Sequence, residues 1–465
     1  MGFAWGLAKV GCPTFSLMAS CTPALAYAGP AETSAVTSHS KPPRTGARSR
    51  PPVGSSLAIG TTKPSLEKTT PKRSTGGFEW ANAAGCGVAD CASRPQRLGT
   101  LRLGRIASGG ARYSQGHAPG RGAALRIGLM GLGHVGRQIY GLALAQPDCE
   151  VVAVSDIGQP GILHHLLAKT LPKGTSVRLV GNYLEGKVDG KADPVAQTRL
   201  MAAERPEEIP WDLLGVNLVI DATGRFRSAE ELAPHLDNGA RRVLLSGLPE
   251  GDVDRVVLGG VNDGEAQSED RIVSAGSAST TALALALKVL VDERPIVHAS
   301  MTTVHAYTGD MSLQDHAASD YRRSRSGARN IIPNETLAPN WVECALPAVR
   351  GRLSGFALNV PVGEGSLLDL TVAYREPAPE RDVVNGLFAA AARRDPRRLA
   401  VTDDPVVSSD VLGSTESILV DMQGTLRSGG RLVKVLGWHE SLGHARSILD
   451  LARLYAGLDS AAASA

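Results

Sequence analysis

The 465-residue sequence contains no stretch of 18 or more consecutive apolar residues, so it encodes no helix of the bilayer-spanning kind. Cysteine is scarce. There are six, four of them before residue 125, too few and too scattered for a disulfide scaffold. Cys86 and Cys91 have no second pair at zinc-ligand spacing, so no metal site is expected. Acidic residues are almost missing from residues 1–124, which hold 15 Lys/Arg against 4 Asp/Glu. The remainder carries 34 against 42, so a net charge of +3 hides a leader of +11 on a body of −8. Aromatic residues are few among the basic ones of the leader and form no regular pattern with them, which argues against a dedicated nucleic-acid surface.

The leader is built of Gly, Ser, Thr, Pro, Ala and Arg, as in residues 38–52 (SHSKPPRTGARSRPP), without apolar periodicity at 2 or 3.6 residues. Such a composition cannot bury enough surface to offset the entropy of ordering. Three readings fit it: an Arg- and Ser-rich organelle-targeting segment, an export signal ending at Ala26-Tyr27-Ala28, or an unstructured tail from a start site placed too far upstream. Pro13 and Pro23 interrupt the apolar part of the export signal. The body is expected to act in the cytoplasm unless the leader directs it to an organelle.

Organisation begins at residue 125. Residues 125–130 read as a buried strand and lead into Gly131-Leu132-Gly133-His134-Val135-Gly136. A helix is expected from about 135 to 145, then a second apolar strand over 150–155 that ends at Asp156. Two glycines permit a tight turn and close approach of a diphosphate, the third lets helix pack on strand, and the helix N-terminus offers unpaired N–H groups to an anion. Asp156 lies 20 residues after Gly136, where its carboxylate can accept from ribose hydroxyls and repel a 2′-phosphate. The pattern predicts NAD. Strands expected at 217–224, 242–247, 253–261 and 271–276, with a helix over 228–238, continue an α/β rhythm and imply a doubly wound parallel sheet.

From residue 274 the sequence resembles the phosphorylating glyceraldehyde-3-phosphate dehydrogenase family. The runs 274–281 (SAGSASTT), 301–308 (MTTVHAYT), 322–333 (RRSRSGARNIIP) and 365–371 (GSLLDLT) carry the resemblance in the family's order and spacing, and it extends over 125–465. It implies a Rossmann NAD domain (125–276), a catalytic-type α+β domain with a mixed, largely antiparallel sheet (277–437), and a C-terminal helix within 438–465 that packs back on the NAD domain. It further implies a homotetramer in which a loop near 306–333 reaches a neighbouring subunit, so the arginines 322, 323, 325 and 329 read as interface rather than as a nucleic-acid patch. Cofactor contacts carried over by resemblance are Gly131, Gly133, the His134 and Val135 amides, Gly136, Asp156, Arg205, Thr223, Gly224 and Ser246. Met130 and His134 depart from the family's Asn and Arg.

The family's reaction needs a thiolate beside a histidine, because a thiolate is nucleophilic near neutral pH and forms an activated thioester. His305 matches the histidine. The nucleophile position, aligned without gaps, is Ala278, and a methyl group cannot attack a carbonyl; a slip of one residue would put Ser279 there. Cys149 and Cys344 read as small apolar residues elsewhere in the body. Anion-binding positions keep Ser277, Ser279, Thr308 and Thr336, while Asn359 stands where the family has an arginine, removing a charge and a bidentate donor. Asp310 is expected to repel a phosphate, and Leu337 stands where a glycine amide is usual. The run Trp438-His439-Glu440-Ser441 lacks the Asn that orients the nicotinamide, and His444 takes the place of a Tyr. The expectation is a NAD-binding homologue with impaired chemistry that serves in binding or regulation, with a small aldehyde or related molecule as ligand. A NAD-dependent aldehyde oxidoreductase of altered mechanism, and a conventional dehydrogenase, stay open.

Overall fold

A computed structural model describes residues 124–191, 194–318 and 320–464, so the leader up to residue 123 lies outside the described residues. The first half is built on β1 (Leu125–Met130), α1 (His134–Leu144), β2 (Cys149–Ser155), α2 (Pro160–Thr170), β3 (Thr175–Val180), β4 (Tyr183–Val188), β5 (Ala196–Met201), β6 (Leu218–Asp221), α3 (Ala229–Asp237), β7 (Arg242–Leu245), β8 (Arg255–Val256) and β9 (Ile272–Ser274). These strands form one nine-stranded sheet in the order β3-β4-β5-β2-β1-β6-β7-β9-β8. It is parallel except at β4, which runs antiparallel to β3 and β5. Strand β1 pairs in parallel with β2 on one side and β6 on the other, so the chain changes winding direction at β1. In such sheets the crevice beyond the strand ends at this point receives the ligand.

The second half comprises α4 (Ala278–Glu293), β10 (Ile296–Ala306), β11 (Ile332–Asn334), α5 (Ala338–Ala345), β12 (Leu353–Val360), β13 (Ser366–Tyr374), α6 (Arg381–Arg394), β14 (Leu399–Thr402), β15 (Ile418–Ser428), β16 (Leu432–His439) and α7 (Ser441–Ser464). Its seven strands lie in the order β11-β12-β10-β13-β16-β15-β14, with β10/β12 and β14/β15 parallel and the other pairs antiparallel. Alternation along the central strands turns Met301, Leu368, Leu370, Val433 and Val435 to one face, where Leu283, Leu287 and Leu290 of α4, Val342 of α5 and Phe388 of α6 cover them. The fold is thus α/β: a Rossmann sheet followed by a mixed, largely antiparallel one. No helix among the described residues is long and apolar enough to cross a membrane.

Helix α7 returns to the first sheet. Ala445, Ile448, Leu449, Ala452 and Tyr455, spaced at helical periodicity, join Ile127, Leu129, Ile139 and Val154 in one core. Its far end is fixed by charge. The Arg242 guanidinium, fully buried at the start of β7, donates to both carboxylate oxygens of Asp459 (2.8 and 3.2 Å) and to the carbonyls of Asp270 and Ser268. It also lies 4.2 Å from the centre of the Tyr455 ring.

The strand expected over 253–261 is only two residues long. Asn262 turns the chain there: its side-chain oxygen accepts from the Leu258 amide (2.8 Å) and its nitrogen donates to the Val256 carbonyl (3.0 Å), so the extended run ends. The strand expected over 217–224 stops at Asp221, because the Asp221 carboxylate draws the Thr223 amide (2.9 Å) and hydroxyl (2.6 Å) into a turn. The C-terminal helix expected within 438–465 runs from Ser441 to Ser464, with the His444 amide bonded to the Glu440 carbonyl. Removing one partner of a buried ion pair leaves the other charge and its carbonyl partners unsatisfied. Arg242→Leu is therefore expected to lower stability by about 3 kcal/mol, read as a fall in the urea midpoint at unchanged slope.

Candidate functional site

The crevice beyond β1 is shaped by three glycines. Gly131 has φ +92°, and a Cβ there would meet the Ala222–Thr223 backbone. A Cβ on Gly136 would collide with the Gly131 carbonyl, so only glycine lets α1 sit this close to the turn. Gly133 faces open space. No side chain caps α1 and its first turn holds no acidic residue, so the N–H groups of His134, Val135 and Gly136 have nothing to compete with an incoming anion. The cradle fits a diphosphate.

Asp156 ends β2 beside this turn. One carboxylate oxygen accepts from the Leu132 amide (2.7 Å) and the other from Gly158 (2.8 Å), so the acid braces the glycine turn while each oxygen keeps a lone pair for a ribose hydroxyl. Across the crevice, Glu204, Arg205, Pro206, Arg225, Phe226 and Pro234 line a cleft of about 580 Å³. Arg205 is exposed and paired with Glu207. Thr223 spends its hydroxyl on Asp221, and Gly224 follows at φ +67°. Ser246 is held by its carbonyl, which lies 2.8 Å from the His444 ring nitrogen. Beneath this rim runs a buried chain: the Trp211 indole donates to His235 Nδ1 (2.9 Å), which leaves His235 Nε2–H facing Asp221 at 3.5 Å. Sequence reasoning missed it; the one available signal was Asp221 in an otherwise apolar strand.

Ala278 is the first residue of α4, half-buried, with Ser277 as N-cap. The Ser277 hydroxyl lies 2.7 Å from Thr280 Oγ1 and 3.2 Å from Ser279 Oγ. Ser279 is thus engaged with its neighbour rather than with His305. At the end of β10, His305 Nε2 lies 3.3 Å from Thr303 Oγ1, and the same hydroxyl lies 3.4 Å from His439 Nε2 on β16. The two rings meet edge-on, 5.8 Å between centres. Burial pushes His305 down to about 4 and His439 to about 3. Neighbouring His305 and His444 push His439 in the same direction. Both rings are neutral at pH 7. A hydroxyl has one proton, so Thr303 can donate to only one Nε2 and must accept from the other, and the two tautomers are coupled. Sequence reasoning did not join these residues; the alternation of β10 and β16 across β13 was the signal.

The anion positions are largely self-satisfied. Asn359, opposite His305 on β12, accepts from the Asn334 amide and donates to the Ala306 carbonyl (3.2 Å). Each end of that amide thus has one partner within the protein. Asp310, expected to repel a phosphate, is paired with the Arg323 guanidinium and accepts from Thr308, so its charge is compensated. Arg323 thereby comes beside Thr308, a placement the sequence did not suggest. Thr336 accepts from the Ala338 amide at the head of α5, and Leu337 is half exposed beside it.

Comparison with known families matches two models to the chain. The glyceraldehyde 3-phosphate dehydrogenase NAD binding domain matches residues 125–229, and the C-terminal domain of the same enzyme matches 277–441. Among curated relatives, glyceraldehyde-3-phosphate dehydrogenase of Mycobacterium avium is 38% identical over 336 residues, covering 71% of this chain and 98% of its own. Glyceraldehyde-3-phosphate dehydrogenase 2 of Streptomyces arenae is 38% identical over 339 residues with the same coverage, and the Geobacillus stearothermophilus protein is 36% identical over 334 residues, covering 71% of this chain and 97% of its own.

Buried imidazoles held below their unfolded value near 6.5 make the folded state bind fewer protons than the unfolded one, so stability falls as pH falls. His305 and His439 together set this window from about pH 6.5 down to about 4, with His439 alone below that; each contributes up to about 1.4 kcal/mol per pH unit. Urea midpoints measured between pH 7.5 and 4.5 are expected to drop steeply, and His439→Phe is expected to remove about one proton from the slope.

Proposed function

The chain belongs to the glyceraldehyde-3-phosphate dehydrogenase family, and on that premise we propose that it keeps the family's NAD groove while lacking its covalent route, acting as a binding or regulatory member. NAD is the cofactor of the matched domain. When bound, it would supply a hydride acceptor at the nicotinamide ring. The residues of this chain account for the rest. The head of α1 and Gly133 receive the diphosphate, Asp156 the ribose, and His444 steadies the Ser246 loop through its carbonyl.

The observation that carries the reading is Ala278 at the head of α4, where no atom can form a thioester. Loss of a covalent nucleophile costs on the order of 10⁴–10⁶ in rate. The surroundings support the same conclusion. An imidazole that titrates near 4 is a weak proton acceptor at pH 7, and His305 has no thiol beside it to deprotonate. Asn359 offers no charge to a substrate phosphate, and one N–H of its amide is given to the Ala306 carbonyl. The ligand that fits such a site beside the cofactor is a small aldehyde or a related molecule without a phosphate. The test follows NADH formation by the full chain with glyceraldehyde 3-phosphate, NAD and phosphate. No rate above buffer is expected; turnover at a thiol enzyme's rate overturns the reading. Ala278→Cys is expected to give only slow turnover at high KM, since Asn359 still leaves the phosphate unheld.

We also propose a homotetramer. The loop 307–331 exposes Tyr321 (95%), Ile331 (66%) and Leu313 (64%), a density of bare apolar side chains that supports contact with another copy. Light scattering is expected to give a mass near four copies, reduced by Tyr321→Asp; a monomer in the wild type removes this proposal.

A further inference from the structure

Arg398, the residue before β14, is only 8% exposed. Among the described residues the five N–H groups of its guanidinium find one acceptor, the Ser447 hydroxyl on α7, 3.3 Å from Nη1. Two acids stand beside it, Asp263 and Asp395. Each stops 4.0 Å from a guanidinium nitrogen, near enough to compensate charge but too far to accept a hydrogen bond. Asp263 is held back by the Gly260 amide, which donates to it at 2.7 Å. The turn at 259–260 makes room for the guanidinium, since a Cβ on Gly259 would collide with Nη1. A charged group taken this far inside ordinarily has its donors met. The unused nitrogens of Arg398 are not sealed off. The space that Arg398 borders is a cavity of about 290 Å³ between α4 and α6.

We propose that this cavity is a binding site for a small organic monocarboxylate, whose carboxylate takes the free donors of Arg398 and whose apolar body lies on Leu285, Val289, Ala391 and Leu399. Those four side chains form the apolar part of the wall. The charged part is close to balanced: Lys288, Arg394 and Arg398 against Asp292 and Asp395, with Asp263 behind Arg398. Lys288 is already paired with Asp292 at 3.5 Å. Such a wall compensates one negative charge and not two, so a doubly charged phosphate would meet Asp395 and Asp263 uncompensated. A carboxylate matches the planar fork of Nε and Nη2 with two parallel hydrogen bonds, the geometry in which a guanidinium binds best. The apolar wall then decides what the carboxylate is attached to, because an apolar body gains by leaving water and a second polar group would find no partner there. The site shares no residue with the crevice of the first sheet and does not depend on NAD.

Calorimetry of the full chain tests the site with benzoate as probe, benzamide as its neutral counterpart and inorganic phosphate as the more highly charged anion. Benzoate is expected to bind saturably with a Kd on the order of 1 mM. Benzamide is expected to bind at least about tenfold more weakly, and phosphate at equal concentration to leave benzoate in place. Two variants locate the site. Arg398→Met keeps an apolar stem of similar length and removes the donors; it is expected to stay folded and to raise the benzoate Kd at least about tenfold. Ala391→Leu narrows the cavity without touching the guanidinium and is expected to weaken benzoate by a similar factor. The proposal is overturned by benzoate that fails to saturate by about 20 mM, by benzamide bound as tightly as benzoate, or by phosphate displacing it. Either variant, folded and binding benzoate as the wild type does, overturns it as well.

Discussion

Burial of one apolar stripe on α7 fixes the arrangement of the described chain. That helix leaves the second sheet directly after β16, yet its Ala445, Ile448, Leu449, Ala452 and Tyr455 complete the core of the first sheet. An amphipathic helix on the order of twenty residues long cannot leave such a stripe in water, so closing the core also brings the head of α7 against the rim of the crevice. Three polar contacts follow from this placement and would have no partner without it: Ser441 with His134, His444 with the Ser246 carbonyl, and Asp459 with Arg242. The rim residues are held by a helix recruited for hydrophobic reasons.

The site beside the crevice is ordered but inward-looking. His305, Thr303 and His439 satisfy one another, Asn359 satisfies Asn334 and the Ala306 carbonyl, and Asp310 satisfies Thr308 and Arg323. A site prepared for chemistry leaves donors and charges unmet until substrate arrives, because those unmet groups supply the differential binding. Here most of the polar capacity is consumed within the protein. The crevice of the first sheet is the opposite case: the head of α1 is uncapped and Gly133 faces open space.

Much of this was legible in the sequence, for identifiable reasons. The turn at 131–136 could be read because glycine is the one residue whose absence of a side chain has an unmistakable geometric use. The N-cap Ser228 and its partner Glu231 mark α3 in the same way. The antiparallel insertion β3–β5 was not readable: its strands are short, and β3 alternates only between half-buried and exposed residues, without a strong apolar face. Helix α2 also escaped, since Ile162 and Leu166 are exposed and blur its periodicity. At the site, the sequence offered single positions, Ala278 and Asn359 above all, and no clusters. His439 gains meaning only once β13 lies between β10 and β16, and Arg323 only once its loop folds back on Thr308.

The Asn334–Asn359 pair has a consequence for what position 359 can hold. Were Asn359 unengaged, a charged side chain in its place would disturb nothing around it. Instead its amide has become the partner of Asn334 and of the Ala306 carbonyl. An arginine placed there would break both contacts; the Asn334 amide nitrogen would keep the Ile332 carbonyl at 3.2 Å, while the Ala306 carbonyl on β10 would lose the Asn359 amide as donor. A carbonyl left without a donor is costly when buried, so the environment of position 359 favours the amide. Position 359 is thereby tied to strands on either side of it, and a change there is felt on β10 and β11 together.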